Sequence, residues 1–358
     1  MTFRSNLILA LTFFWVSATA QVTQVETVIQ KGHDQSVLCL ALHPDSTLLA
    51  TGSRDKSIKL WNLNNTREIR NLLGHTASVR SIAFSPDGKT LASCANDETF
   101  RLWNIQTGET LYRSEPMGDL LTSVAFLADG KHLLIGGYPW EAFVFNIQEK
   151  KIIRKIKVSP NKGTGSGVQV AVSGNGEWFS IAEDNHTAQV FDAKSFELKY
   201  TLKREDGYCG GCPSYTVFSP DSNFLYLASH SGALKKYDLA TGHLYKSLVP
   251  ELRDIQGMAI SPDGSTLLLI HEREASLYDA ERGSLLKTFA TEEKAKFNRG
   301  LFSFQNDRVI FVKENNLAEA RTLNDTPHSV FTGILNERDK GGVTYDPNFY
   351  WESHIARY

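Results

Sequence analysis

Short apolar runs bounded by compact polar turns recur along the whole chain. The turns are "HPDS" at His43, "SPDG" at Ser85, "LADG" at Leu127, "SGNG" at Ser173, "SPDS" at Ser219 and "SPDG" at Ser261, with a weaker "QND" from Gln305. Their successive spacings are 42, 42, 46, 46, 42 and 44 residues. In "SPDG" the serine suits the first turn position, proline fixes φ at the second, and glycine closes the turn. Each turn leads into a run such as "TLAS" or "FLYLAS", the length and composition of a strand.

A second periodicity rides on the first. Eighteen residues after the turn start stand Trp61, Trp103, Phe145, Phe191 and Tyr237, and Tyr278 falls at seventeen. Each is followed by Asn or Asp: Asn62, Asn104, Asn146, Asp192, Asp238 and Asp279. An aromatic at one offset in five of seven units, and one residue short of it in a sixth, predicts a four-stranded unit whose faces are buried only by stacking on its neighbours. Seven such units closing into a ring predict an all-β, seven-bladed β-propeller of four-stranded antiparallel blades.

The stretch "GHTASVRSIAFSPDGKTLASCANDETFRLWN" (Gly74–Asn104) resembles a WD-repeat (WD40), and the unit before it is similar. In both, a Gly-His precedes an Asp by one interval (His33 to Asp55, His75 to Asp97), and the tryptophan follows six residues later. The resemblance covers residues 25–323 in architecture and the first two units in motif; later units keep the aromatic and lose the Gly-His. It implies a structural tetrad of His33, Ser53, Asp55 and Trp61. In the second unit the tetrad maps onto His75, Asp97 and Trp103, with Ala95 in place of the hydroxyl. A His beside an Asp also suits a catalytic site, but these pairs recur by unit, as structural networks do.

The ends add detail. "MTFRSN" carries one positive charge, Leu7–Val16 is apolar apart from Thr12, and Ala18-x-Ala20 offers a cleavage site. This order matches a secretory signal over residues 1–20 and is too short to span a membrane, which takes ~20 apolar residues. An exported product beginning at Gln21, periplasmic or extracellular, is expected, with a propeller over 21–335 and an aromatic-rich tail over 336–358. Thr23–His33 is expected to supply the outer strand of the last blade, as the family's interlock implies; His328–Leu335 could fill the same role from the C-terminal side.

Composition narrows the function classes. The chain is 41% hydrophobic and 22% charged with a net charge of −2 and no long run of either sign. Neither nucleic acid nor membrane insertion is indicated, since both leave other signatures. "CGGC" places Cys209 and Cys212 in a glycine-rich loop, where an oxidising compartment favours a disulfide staple. No second CxxC completes a zinc site, and Pro213 stands where covalent haem needs histidine. Cys39 and Cys94 read as small, free core residues.

Candidate functional residues fall at offset eleven from each turn, in the loops between second and third strands: Arg54, Asn96, Tyr138, Asp184, His230 and Glu272, with Trp140 beside Tyr138. Polar loop tips follow from contact with water, whereas the aromatic pair favours binding. The expected function is an exported, monomeric interaction module that presents this face to a protein or peptide and carries no cofactor and no metal. The alternative is a propeller enzyme or metal binder of lactonase-like or quinoprotein-like type, using Asp184, His186, His230 and Glu272. No GxSxG nucleophile motif is present, and "GTGSG" at Gly163 is neither that nor a phosphate loop.

Overall fold

The computed structural model describes residues 32–65, 67–158, 167–183, 187–203, 214–229, 233–249, 255–271, 273–290, 296–303, 308–313, 318–323 and 327–331. Within them lie seven four-stranded antiparallel sheets, each a continuous stretch of chain. These blades cover 37–72, 79–113, 121–157, 169–203, 214–249, 257–290 and 297–331, numbered 1 to 7 below. The first strand of each blade is innermost and packs on the first strand of the next. The inner strands of blades 7 and 1 also touch, so the ring closes.

The turn between first and second strands shows why the repeat folds as it does. In blade 2, Ser85 Oγ donates to Asp87 Oδ1 at 2.6 Å, and the Lys89 amide donates to the same oxygen at 3.1 Å. Gly88 takes φ 69°, a left-handed conformation that costs glycine nothing. Its carbonyl lies 2.9 Å from Nε2 of His43 in the blade 1 turn, so adjacent turns are tied together. Ser219–Asp221 and Ser261–Asp263 repeat the side-chain bond in blades 5 and 6.

The last blade corrects the expected fold. It does not take its outer strand from Thr23–His33: Pro327–Phe331 pairs antiparallel with Ala318–Thr322 and completes the sheet. Only residues 323–326 separate these two strands in sequence, a length typical of a hairpin connection. The ring is sealed by side chains instead. Asn298 Nδ2 donates to the Val37 carbonyl at 2.8 Å, and Leu49 and Trp61 of blade 1 share a cluster with Leu301 and Ile310 of blade 7.

Glycine sets the spacing between some blades. A Cβ on Gly136, in the second strand of blade 3, would lie 2.6 Å from the backbone oxygen of Val168, and one on Gly52 of blade 1 would lie 2.8 Å from Val79 Cγ1 of blade 2. Cys39 and Cys94 are buried and are not joined to each other in a disulfide. Cys209 and Cys212 lie outside the described residues, as do residues 1–31 and 332–358. No helix among the described residues is long and apolar enough to cross a membrane.

Candidate functional site

Two hydrogen-bonded networks hold the loops on one face of blades 1 and 2. In blade 2, Trp103 Nε1 donates to Ser93 Oγ at 2.8 Å, and His75 Nε2 lies 2.8 Å from the same hydroxyl. His75 Nδ1 faces Asp97 Oδ2 at 2.9 Å. That carboxylate also accepts from the Thr76 amide at 2.8 Å and the Thr99 hydroxyl at 2.7 Å. Blade 1 repeats the chain, with Trp61 and His33 each 2.8 Å from Thr51 Oγ1 and His33 Nδ1 2.9 Å from Asp55.

The hydroxyl therefore comes from Thr51 and Ser93, not from Ser53 or its counterpart Ala95. Trp61 stands opposite Leu49 in the sheet and Trp103 opposite Leu91. On the pleated surface an indole reaches the same-face residue two positions along, which is Thr51 or Ser93. Ser53 is one rung further and donates to the Gln35 carbonyl at 2.9 Å instead. Replacing Ser93 with alanine strands both the buried Trp103 N–H and His75 Nε2, and about 1–3 kcal/mol of stability is lost. Ala95→Ser gains nothing comparable, and urea unfolding of the two variants checks the difference.

The aspartates in these networks are structural anchors. Burial pushes the Asp55 carboxyl up, but the hydrogen bond and charge of His33 with the bonds from Ser57 outweigh it, leaving the group well below the usual carboxylate range. Burial pushes Asp97 up too, and His75, Thr76 and Thr99 hold it down in the same way. A carboxyl depressed in the folded state stabilises it above its unfolded pKa of about 3.9 and loses that contribution as pH falls towards the folded value. The contribution of these two aspartates is thus fully present above about pH 4 and declines below it; Asp97→Asn flattens that acid limb in a melting-temperature profile.

Beside these anchors stand the loop tips. The backbone amides of Arg54, Asn96 and Tyr138 donate to the carbonyls of Ser36, Ser78 and Leu120 at 2.9, 2.9 and 2.8 Å. Two residues on, Lys56, Glu98 and Trp140 all take positive φ, at 75°, 65° and 54°. One backbone corner therefore recurs in three consecutive blades and brings Arg54, Asn96 and Tyr138 to one face. Asp184, His230 and Glu272, with His186, lie outside the described residues.

The side chains divide differently from the sequence-based expectation. Tyr138 is exposed (36%), and so is Leu120 (38%), the residue whose carbonyl it bonds. Trp140 is not the second exposed ring: it is half-buried and packs on the blade 3–blade 4 cluster containing Ile156, Val158 and Val168. Asn96 turns to Arg80, whose Nε donates to its Oδ1 at 2.6 Å. Leu120 carries no motif that singles it out. Its signal is only an apolar residue after "MGD" in a loop, one position before the inner strand.

Other chemistry is sparse. Among the described residues no group of three His, Cys, Asp or Glu is placed to hold a metal ion. A cleft beside the first turns of blades 4, 5 and 6, lined by Phe218, Pro220, Ile260 and Pro262, has about 20 Å³ of free volume, room for about one water.

A β-propeller with His–Ser/Thr–Trp–Asp networks in its first two blades defines the class. Residues 24–62 and 66–104 match the WD40 family, described as WD domain, G-beta repeat. The chain thus carries WD40 repeats within a propeller. A 59-residue stretch is 39% identical to the probable E3 ubiquitin ligase complex SCF subunit sconB of Arthroderma benhamiae (strain ATCC MYA-4681 / CBS 112371), covering 16% of this chain and 9% of that protein. The protein of the same description from Trichophyton verrucosum (strain HKI 0517) matches with the same figures. That from Arthroderma otae (strain ATCC MYA-4605 / CBS 113480) differs only in the 8% of its length that is covered. The match spans less than a tenth of the length of these relatives.

Proposed function

We propose that this protein is a protein-interaction module that binds a protein or peptide through the face carrying Arg54, Tyr138 and Leu120. The observation that carries the reading is the Tyr138–Leu120 pair: two exposed apolar side chains joined through their backbones on a corner held rigid by the sheet. Exposed aromatic and aliphatic side chains on preorganised loops lose little entropy on binding and bury much surface. WD40 repeats in a propeller supply a rigid disc for such a face, and the similar proteins named above are described as subunits of a complex. Capture from the source organism's own extract tests this, with wild type run beside a Tyr138→Ala/Leu120→Ser variant and a rim control, Leu285→Ser/Leu286→Ser. A protein retained by wild type and the control but lost from the face variant supports the reading; equal retention by all three refutes it.

Export belongs to the same proposal. It is supported by the charged start, the apolar Leu7–Val16 stretch and the Ala18-x-Ala20 site. Sequencing the N-terminus of protein from the native host then yields Gln21; an intact Met1 or Thr2 start rejects export by this route.

A further inference from the structure

The outer edges of the blades are not equivalent, and blade 3 stands apart. Its outer strand, Lys151–Lys157, is seven residues long and exposed at every position except Ile156. The other outer strands with described side chains mix in buried or half-buried positions: Arg67–Leu72 alternates, and Leu244–Val249 and Leu285–Ala290 each bury a residue near their ends. Residues 150–157 hold Lys150, Lys151, Arg154, Lys155 and Lys157 and no acid.

The position of Arg154 makes the difference specific. In blade 1 the corresponding residue is Arg70, which donates to the carbonyls of Ile105, Gln106 and Thr107 in blade 2. In blade 4, Tyr200 Oη donates to the Ala240 carbonyl of blade 5 at 3.2 Å. In blades 5 and 6, Lys246 and Lys287 donate to the carbonyls of Glu281 and Leu323 at 2.7 and 2.9 Å. Each of these side chains staples its outer strand to the next blade. Arg154 makes no such bond among the described residues and stays in water. Lys151 pairs with Glu149 and Lys155 with Glu141, which leaves the charges of Lys150, Arg154 and Lys157 uncompensated among the described residues.

The backbone of this edge is ordered for pairing. A bulge at Ile153 ends the irregular part, and Arg154–Lys157 then runs in register with Glu141–Val144. The Val158 amide donates to the Trp140 carbonyl at 3.1 Å, which makes 158 and 140 a bonded pair. Bonded and non-bonded pairs alternate in an antiparallel ladder. Ile156 is therefore bonded inward to Ala142, and its neighbours Lys155 and Lys157 aim their N–H and C=O groups outward, away from the sheet.

We propose that the outer edge of blade 3 is a docking slot for an acidic, extended peptide segment, which adds as a fifth strand against Lys155 and Lys157 and pairs its carboxylates with Arg154 and Lys157. Lysines on a sheet edge ordinarily discourage strand addition by repulsion; against an acidic strand the same charges attract, so the edge selects by charge as well as by shape. This surface is separate from the Tyr138–Leu120 pair and does not depend on it.

The probe is a fluorescein-labelled peptide of Glu-Glu-Val repeats, which as a strand presents carboxylates on both faces and so to Arg154 and Lys157 alike; it is titrated with the full chain and followed by anisotropy. Binding is expected to weaken at least about tenfold between roughly 50 mM and 500 mM salt, as exposed charge pairs are screened. Arg154→Glu/Lys157→Glu is expected to lose the glutamate peptide and gain the matching lysine–valine peptide, which an unfolded variant would not do. Lys157→Pro removes one outward N–H that the sheet does not use, so it keeps the wild-type melting temperature and loses the peptide. The proposal is overturned by no binding of the acidic peptide, by Lys157→Pro binding as wild type does, or by charge-dependent binding to phosphatidylserine vesicles that the peptide fails to displace. The Tyr138→Ala/Leu120→Ser variant binds the probe unchanged.

Discussion

Replacing Trp103 with alanine lowers the stability of the chain by about 3–5 kcal/mol, the range for removing a large buried aromatic. The side chain is 1% exposed and packs with Ile58, Leu60, Val79, Ile82 and Leu91, residues drawn from both blade 1 and blade 2. Its loss opens a cavity at a boundary between blades, where the facing backbones are pinned by their own ladders and relax little. The substitution also takes the indole N–H from Ser93 and breaks the network that ends at Asp97. Trp178 provides the control. It is half-buried at the margin of the blade 4–blade 5 cluster, so Trp178→Ala costs markedly less. Urea titration of both variants against wild type reads the difference directly, and equal costs would contradict the packing described above.

Gly136→Val has the second largest expected effect, and its cause is the opposite one. The position faces blade 4, where the Val168 carbonyl accepts from Thr122 Oγ1 at 2.9 Å and from Ser123 Oγ at 2.8 Å. An added Cβ falls 2.6 Å from that carbonyl oxygen and against the Ser123 hydroxyl. The backbone cannot yield without moving an inner strand, so overpacking and a broken hydrogen bond combine to cost about 2–4 kcal/mol. Gly136→Ala carries the same first clash with less bulk and costs less. Because Gly136 stands two residues before Tyr138, the valine variant also shifts the proposed binding corner. Reduced partner capture at temperatures where the protein remains folded is the expected sign.

The strand framework is legible in the sequence because its determinants are local. Ser85, Asp87 and Gly88 build their own turn, and a tryptophan at one offset in each of the first two units reports a repeated register. The tetrad hydroxyl stands two residues from where the motif puts it, because spacing from the aspartate does not say which rung of the second strand an indole reaches. The pairing of Trp61 with Leu49 does say so. The closing strand comes from the other terminus for a related reason. Both Thr23–His33 and Pro327–Phe331 carry strand-like residues, and nothing local distinguishes a hairpin from a pairing across the whole chain.

The candidate face is only half legible. Offset eleven locates Arg54, Asn96 and Tyr138 because a repeated backbone corner keeps its position from blade to blade. It does not say which side chains look outward. Trp140 is an anchor by residue type, yet a positive-φ corner turns its ring onto Ile156 and Val158. Leu120 carries no motif that marks it, yet it lies exposed on that same corner. Burial of this kind is settled by tertiary packing, which residue type alone does not encode.

Partner binding at the Tyr138 corner can be read out by site-specific cross-linking. A photo-reactive amino acid is placed at position 138 of the full chain and, in a second protein, at position 286 on the rim. Both proteins are irradiated in the native extract, and the cross-linked products are identified by mass spectrometry. One recurrent protein product is expected from position 138, reduced by Leu120→Ser, with no such product from position 286. The same products in equal yield from both positions, or none from position 138, would contradict binding at this corner.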